Sequence, residues 1–162
     1  MFTAIDLADK LYEHDNSIRL RIIGYCSQPE TLLQVRKIIE NRNYIELFGG
    51  DRLVPHDKIM RAIAAAHFGI IAYPPNPATE NTVPTKLFEY VSSRLPVLLI
   101  NHKPWIHRCL AYQAALVFDP NNPDAFTLLQ KMKSTAFYID PPGDDIFWES
   151  EAEKLVQVIN GL

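Results

Sequence analysis

Glu89 has the strongest claim to chemistry in this chain, because of the residues around it. The segment 81–100, NTVPTKLFEYVSSRLPVLLI, reads as a polar loop, a helix opened by Pro84 and then an apolar strand. A helix start leaves backbone N–H groups without acceptors, and its dipole favours an anion there. Thr82, Val83 and Thr85 stand at that start, and Lys86 adds a cationic side chain beside it. Glu89 follows about one to two turns later, a span that fits the reach from a phosphate to the sugar hydroxyls of a nucleotide. Glu80 and Asn81 add polar side chains on the approach.

Other candidates read as structural. Cys26 and Cys109 form no C-x-x-C pair and are expected as free thiols in a reducing compartment. The five histidines show no metal spacing; His102 and His107 would not share a helix face, and no metal is expected. His56 reads as a turn residue, and Tyr73 and Trp105 as packing residues at element ends. No residue is singled out as catalytic.

The bulk numbers narrow the class. A chain of 162 residues fits one domain, able to bury roughly 70% of its unfolded surface. Apolar residues make up 48% and charged residues 22%, an ordinary globular balance. A net charge of −3 with scattered Lys and Arg offers no basic face for nucleic acid. The most apolar stretch, 63–73, is broken by His67 and is too short to span a bilayer. Asp6 and Asp9 lie where a signal peptide needs an apolar core. The expectation is a cytoplasmic domain without a transmembrane segment.

Apolar periodicity sets the frame around Glu89. Helices are predicted over 4–12, 29–42, 57–66 with Asp57 as cap, 84–94 and 105–114. A further helix is predicted from Asn122-Pro123 to 133, capped by Asn122, with a terminal helix whose Trp148, Ala152, Leu155 and Ile159 face inward. Strands are predicted over 18–24, 44–48 (ended by Gly49-Gly50), 68–73, 96–100 and 115–118. Five strands alternating with helices predict an α/β, doubly wound, Rossmann-like parallel sheet with helices on both faces. Ligands in such sheets bind beyond the carboxyl ends of the strands, the edge from which the long 74–83 loop emerges.

The run P-T-K-L-F-E-Y followed by L-P-V-L-L-I resembles the nucleotide-sugar-binding segment of glycosyltransferase family 4, retaining enzymes of the GT-B fold. The order LRIIG (20–24), IELFG (45–49), 58–73 and LVFDP (116–120) is similar to the family's C-terminal donor-binding domain, and Trp148 with its helix looks like the closing element. The resemblance implies transfer of a hexose from an NDP-sugar to a saccharide or lipid-linked acceptor, by donor positioning and stabilisation of the departing diphosphate, with no cofactor. It implies that Glu89 accepts from the ribose, that Thr82, Val83, Thr85 and Lys86 hold the diphosphate, and that Gly49, Gly50 and Arg52 border the nucleobase. Either Asn81 or Glu80 stands for the family's first acid. Arg94 replaces a usual glycine, and residues 112–117 contain none.

Set against the resemblance, residues 1–162 are expected to start at the helix after the family's first strand of this domain, and to lack its N-terminal acceptor domain. Residues 1–162 are therefore expected to be one nucleotide-sugar-binding domain with strand order 2-1-3-4-5, inactive alone, whose partner is that acceptor domain in a parent able to associate peripherally with membranes. A degenerate nucleotide-binding or assembly module is the alternative. A sugar-nucleotide epimerase would need a second acid/base set, and a flavodoxin-like protein a flavin-phosphate loop; neither is found.

Overall fold

The computed structural model describes residues 1–73, 80 and 82–161. Its elements alternate: α1 (Phe2–His14), β1 (Leu20–Tyr25), α2 (Pro29–Ile39), β2 (Ile45–Gly50), α3 (His56–Ala65), β3 (Gly69–Ile71), α4 (Thr85–Ser92), β4 (Val97–Ile100), α5 (Lys103–Leu110), β5 (Ala115–Phe118) and α6 (Ala125–Ser134). A 3-10 turn (Asp144–Ile146) leads into α7 (Trp148–Asn160). Two compact units result, one of residues 1–66 and 118–133, the other of 67–117 and 134–162.

In the first unit β1 and β2 pair in parallel, from Leu20 opposite Ile45 to Tyr25 opposite Gly50. Ile5 of α1, Val35 of α2 and Ile45 of β2 form the core, with Leu20, Ile22 and Leu47 packed against it. Asp9 accepts from Arg42 Nε at 2.9 Å and from Tyr44 Oη at 2.8 Å. β2 ends at Gly50, two residues later than the expected 44–48, because Gly49 and Gly50 stay in the ladder, at φ +92° and +81°. A Cβ at Gly49 would lie 2.6 Å from the Gly24 carbonyl oxygen, so the close approach of β1 requires glycine there.

Two expected caps move. Asp57 sits inside the first turn of α3 and pairs with Arg61 at 3.2 Å, because Pro55 takes the capping position. At α6 the Oδ1 of Asp124, not of Asn122, accepts the Thr127 N–H at 2.9 Å. That bond holds the Asp124 carboxyl below its usual range.

In the second unit β3 pairs with β4 in parallel, Gly69 opposite Val97 and Ile71 opposite Leu99, and β4 lies between β3 and β5. All four β4 side chains are buried, as an apolar strand covered on both faces requires. The fold is thus α/β, but the five strands form a two-stranded and a three-stranded sheet, not the single five-stranded sheet expected. Only three residues of β3 are in ladder conformation, against six predicted, which leaves few backbone groups for a second partner strand. In the same unit, Leu155 and Ile159 of α7 are 54% and 60% exposed rather than inward. The main element contact of α7 is the preceding 3-10 turn, so its apolar stripe runs on uncovered among the described residues. The Trp148 side chain lies outside the described residues.

Helices α4 and α5 end alike. Arg94 N–H bonds the Val91 carbonyl and Leu95 N–H the Tyr90 carbonyl; Gln113 N–H bonds Leu110 and Ala114 N–H bonds Cys109. This Schellman-type closure puts Arg94 at φ +52° and Gln113 at φ +48°, left-handed positions that favour glycine. Arg94→Gly and Gln113→Gly are each expected to stabilise the protein by about 1 kcal/mol. Urea denaturation measures this, and a lowered midpoint in both variants would contradict it.

Candidate functional site

Parallel pairing brings the carboxyl ends of β3 and β4 to one edge of the second unit. Beyond β3 the chain reaches Tyr73, and beyond β4 it reaches His102, which opens α5. Trp105, one turn into α5 and 1% exposed, joins the two. Its indole Nε1–H donates to the Thr82 carbonyl at 2.7 Å. Its ring meets Tyr73 edge-on at 6.0 Å and stacks on His102 at 3.9 Å. The approach to α4 is thereby tied to the start of α5, and Arg108 over the Phe88 ring, 5.8 Å from its centroid, adds a second tie between these helices.

Helix α4 begins at Thr85, one residue later than expected. Pro84 precedes it with an extended ψ of 140°, and no side chain caps it. Leu87 N–H bonds the Pro84 carbonyl at 2.9 Å, so the first-turn donors without helical acceptors belong to Thr85 and Lys86. Thr82 and Val83 lie ahead of the helix, and their N–H groups are not part of that turn. Glu80 is exposed in a turn, and Asn81 lies outside the described residues. Gly49, Gly50 and Arg52 belong to the first unit, where Arg52 is exposed beyond the end of β2.

Glu89 lies four residues into α4 from Thr85, about 6 Å along the axis. The rotation of the helix is set next door. The Tyr90 ring packs on Gly69 of β3 so closely that a Cβ there would lie 2.5 Å from ring carbons. Leu87 and Val91 are fully buried on the same helix. The outcome for Glu89 is distinctive: Oε2 is buried without a hydrogen-bond partner. Among the described residues only one other side-chain polar atom shares that state, Nδ1 of His102. Burial and then the Glu89 charge raise the Tyr73 phenol above its ordinary value. Burial, with Tyr73 and Glu89 behind it, pushes Tyr90 up to about 12.

Glu89, Thr85 and Lys86 are thus brought into one helical turn and a half, while Tyr73, Trp105 and His102 join them without having been expected there. Tyr73 and Trp105 do pack, as read from the sequence, but they pack at the strand-end edge. A sequence signal for His102 existed: a histidine just before a Lys-Pro-x helix start, with an aromatic three residues on. Among the described residues no group of three or more His, Cys, Asp or Glu could hold a metal ion, and no helix is long and apolar enough to cross a membrane.

Comparison with family models, curated proteins and solved structures finds no match to this chain.

Two outcomes follow from the burial. A buried carboxylate oxygen without a donor costs about 1–3 kcal/mol, so Glu89→Met is expected to raise stability by about 1 kcal/mol in urea denaturation. A destabilised variant would mean that Oε2 is satisfied within the fold. Tyr90 is raised from 10.0 to about 12 and Cys109, by burial, from 9.0 to about 12. Both are buried uncharged, so the stability they contribute is complete below pH 9 and is lost as pH rises towards about 12. The urea midpoint should fall across that window in parallel with phenolate absorbance; a flat profile would show both groups to be solvated.

Proposed function

We propose that this chain is the donor nucleotide-sugar-binding domain of a retaining glycosyltransferase resembling family 4, acting in the cytoplasm as part of a longer enzyme. The observation that carries this assignment is Glu89 Oε2, a buried acceptor without a donor, one turn from the uncapped N-terminus of α4. An acceptor oxygen is what a ribose diol requires, and charge-assisted bonds of this type are roughly twice as strong as neutral ones. Thr85 and Lys86 N–H groups then donate to the diphosphate, aided by the helix dipole and the Lys86 side chain. By the same resemblance, Glu80 or Asn81 stands for the family's first acid, toward the donor sugar. The strand-end location supports the same choice, since ligands of parallel α/β sheets bind beyond the carboxyl ends of strands.

The assignment carries with it a Rossmann-like arrangement with helices on both faces, an acceptor domain as partner, and transfer of a hexose from the NDP-sugar to a saccharide or lipid-linked acceptor. This part of the protein binds and orients the donor and offsets charge on the leaving diphosphate.

Titration calorimetry with UDP, GDP and ADP tests it. One of the three is expected to bind saturably, with Glu89→Gln weakening it at least about tenfold. Absence of binding by a folded sample sinks the assignment, as does a Glu89→Gln variant with unchanged affinity.

A further inference from the structure

His102 is the other buried polar side chain without a partner, and its state has a simple chemical cause. The residue before a helix ordinarily turns its side chain onto the second or third N–H of the first turn. In α5 the second residue is Pro104, which has no N–H. The third, Trp105, gives its N–H to the His102 carbonyl at 3.1 Å, and Ile106 does so at 3.0 Å. Neither of the usual capping donors is left for the imidazole. It lies flat on the Trp105 ring instead, 3.9 Å away at 21°, and is only 7% exposed with Nδ1 buried and unbonded.

The surroundings decide what such a nitrogen would meet. The first turn of α5 holds no acidic residue, Lys103 follows His102 directly, and the helix N-terminus adds partial positive charge. An Nδ1–H donor in that setting is complementary to an anionic oxygen. His102 is also joined to Glu89 through two rings. The Glu89 charge acts on Tyr73, Tyr73 meets Trp105 edge-on at 6.0 Å, and Trp105 stacks on His102. The two unpartnered polar atoms of the described residues are therefore linked through these rings, a carboxylate oxygen on α4 and an imidazole nitrogen at the start of α5.

Resting on the donor-site assignment of Glu89, we propose that His102 Nδ1 is a second ligand-binding group of that site, donating to a phosphate oxygen of the nucleoside diphosphate while Glu89 accepts from its ribose. The ligand class follows from the pair: one molecule that presents hydroxyl donors to a carboxylate and anionic oxygens to an imidazole. The Thr82–Trp105 hydrogen bond holds the approach to α4 against this turn, so that both groups serve the same bound molecule.

The whole chain is titrated with UDP, GDP and ADP and with uridine, guanosine and adenosine. His102→Phe keeps a ring against Trp105 and removes the nitrogens. It is expected to lower diphosphate affinity about tenfold and leave nucleoside affinity unchanged. Glu89→Gln is expected to weaken both ligands. Equal losses for both ligands in His102→Phe would show a packing role and overturn the proposal, as would no loss for either. A second readout is the ¹⁵N resonance of His102 Nδ1 in the wild-type chain, which should move with the diphosphate and not with the nucleoside. An unmoved resonance overturns the proposal even if His102→Phe fails to fold. If no diphosphate binds the wild type, the Glu89 assignment falls first and takes His102 with it. If binding depends on Glu89 alone, only the role of His102 falls.

Discussion

Parallel pairing of β3 with β4 is the constraint on which the candidate site depends. Because the strands run the same way, the chain leaves both at one edge, Tyr73 from one and His102 from the other. An antiparallel pair would have sent those residues to opposite ends. The pairing is short, and what secures it is burial: Val97, Leu98, Leu99 and Ile100 are each at most 2% exposed. A strand buried on both faces gains from every side chain, so β4 can anchor a three-residue neighbour.

The helices around that pair are fixed by close approaches rather than by helix propensity. Gly69 lets the Tyr90 ring lie directly on β3, and this contact sets which way α4 turns Glu89. Arg94 and Gln113 close α4 and α5 in left-handed conformations that a glycine would adopt at lower cost. Strain of this kind persists only where surrounding packing over-determines the backbone. Leu95 and Ala114, the buried residues that follow, complete both closures and lead into β4 and β5.

Polar satisfaction separates the site from the remainder. Asp9, Asp15, Asp51 and Asp124 all have hydrogen-bond partners, and the carboxyls of the last three are held low by them. Glu89 Oε2, one turn into α4, and His102 Nδ1, at the start of α5, are buried without partners, and Tyr73 is linked to both, by the Glu89 charge and through the Trp105 ring. Folded proteins rarely leave buried polar atoms unpaired, and binding sites are where such atoms are retained.

Much of the frame was legible along the chain. Alternation of helical and strand periods, the position of every strand, the free thiols and Glu89 in mid-helix all follow from side-chain pattern, because period and composition are local properties. Element ends were less legible: Asp124 rather than Asn122 caps α6, and the helix after Pro84 starts at Thr85, since caps depend on one or two backbone angles. Leu155 and Ile159 show a different limit. Their spacing correctly describes an apolar helix face, but nothing local says whether another element covers it. By itself the sequence determined which segments are helix or strand and which residue types stand near the start of α4. Only the tertiary structure decided that the strands divide between two sheets, and that Trp105 draws Tyr73, Thr82 and His102 together. Those contacts join residues up to 32 positions apart, and they form because burying an indole, with its one N–H satisfied, is favourable wherever the chain happens to bring the partners.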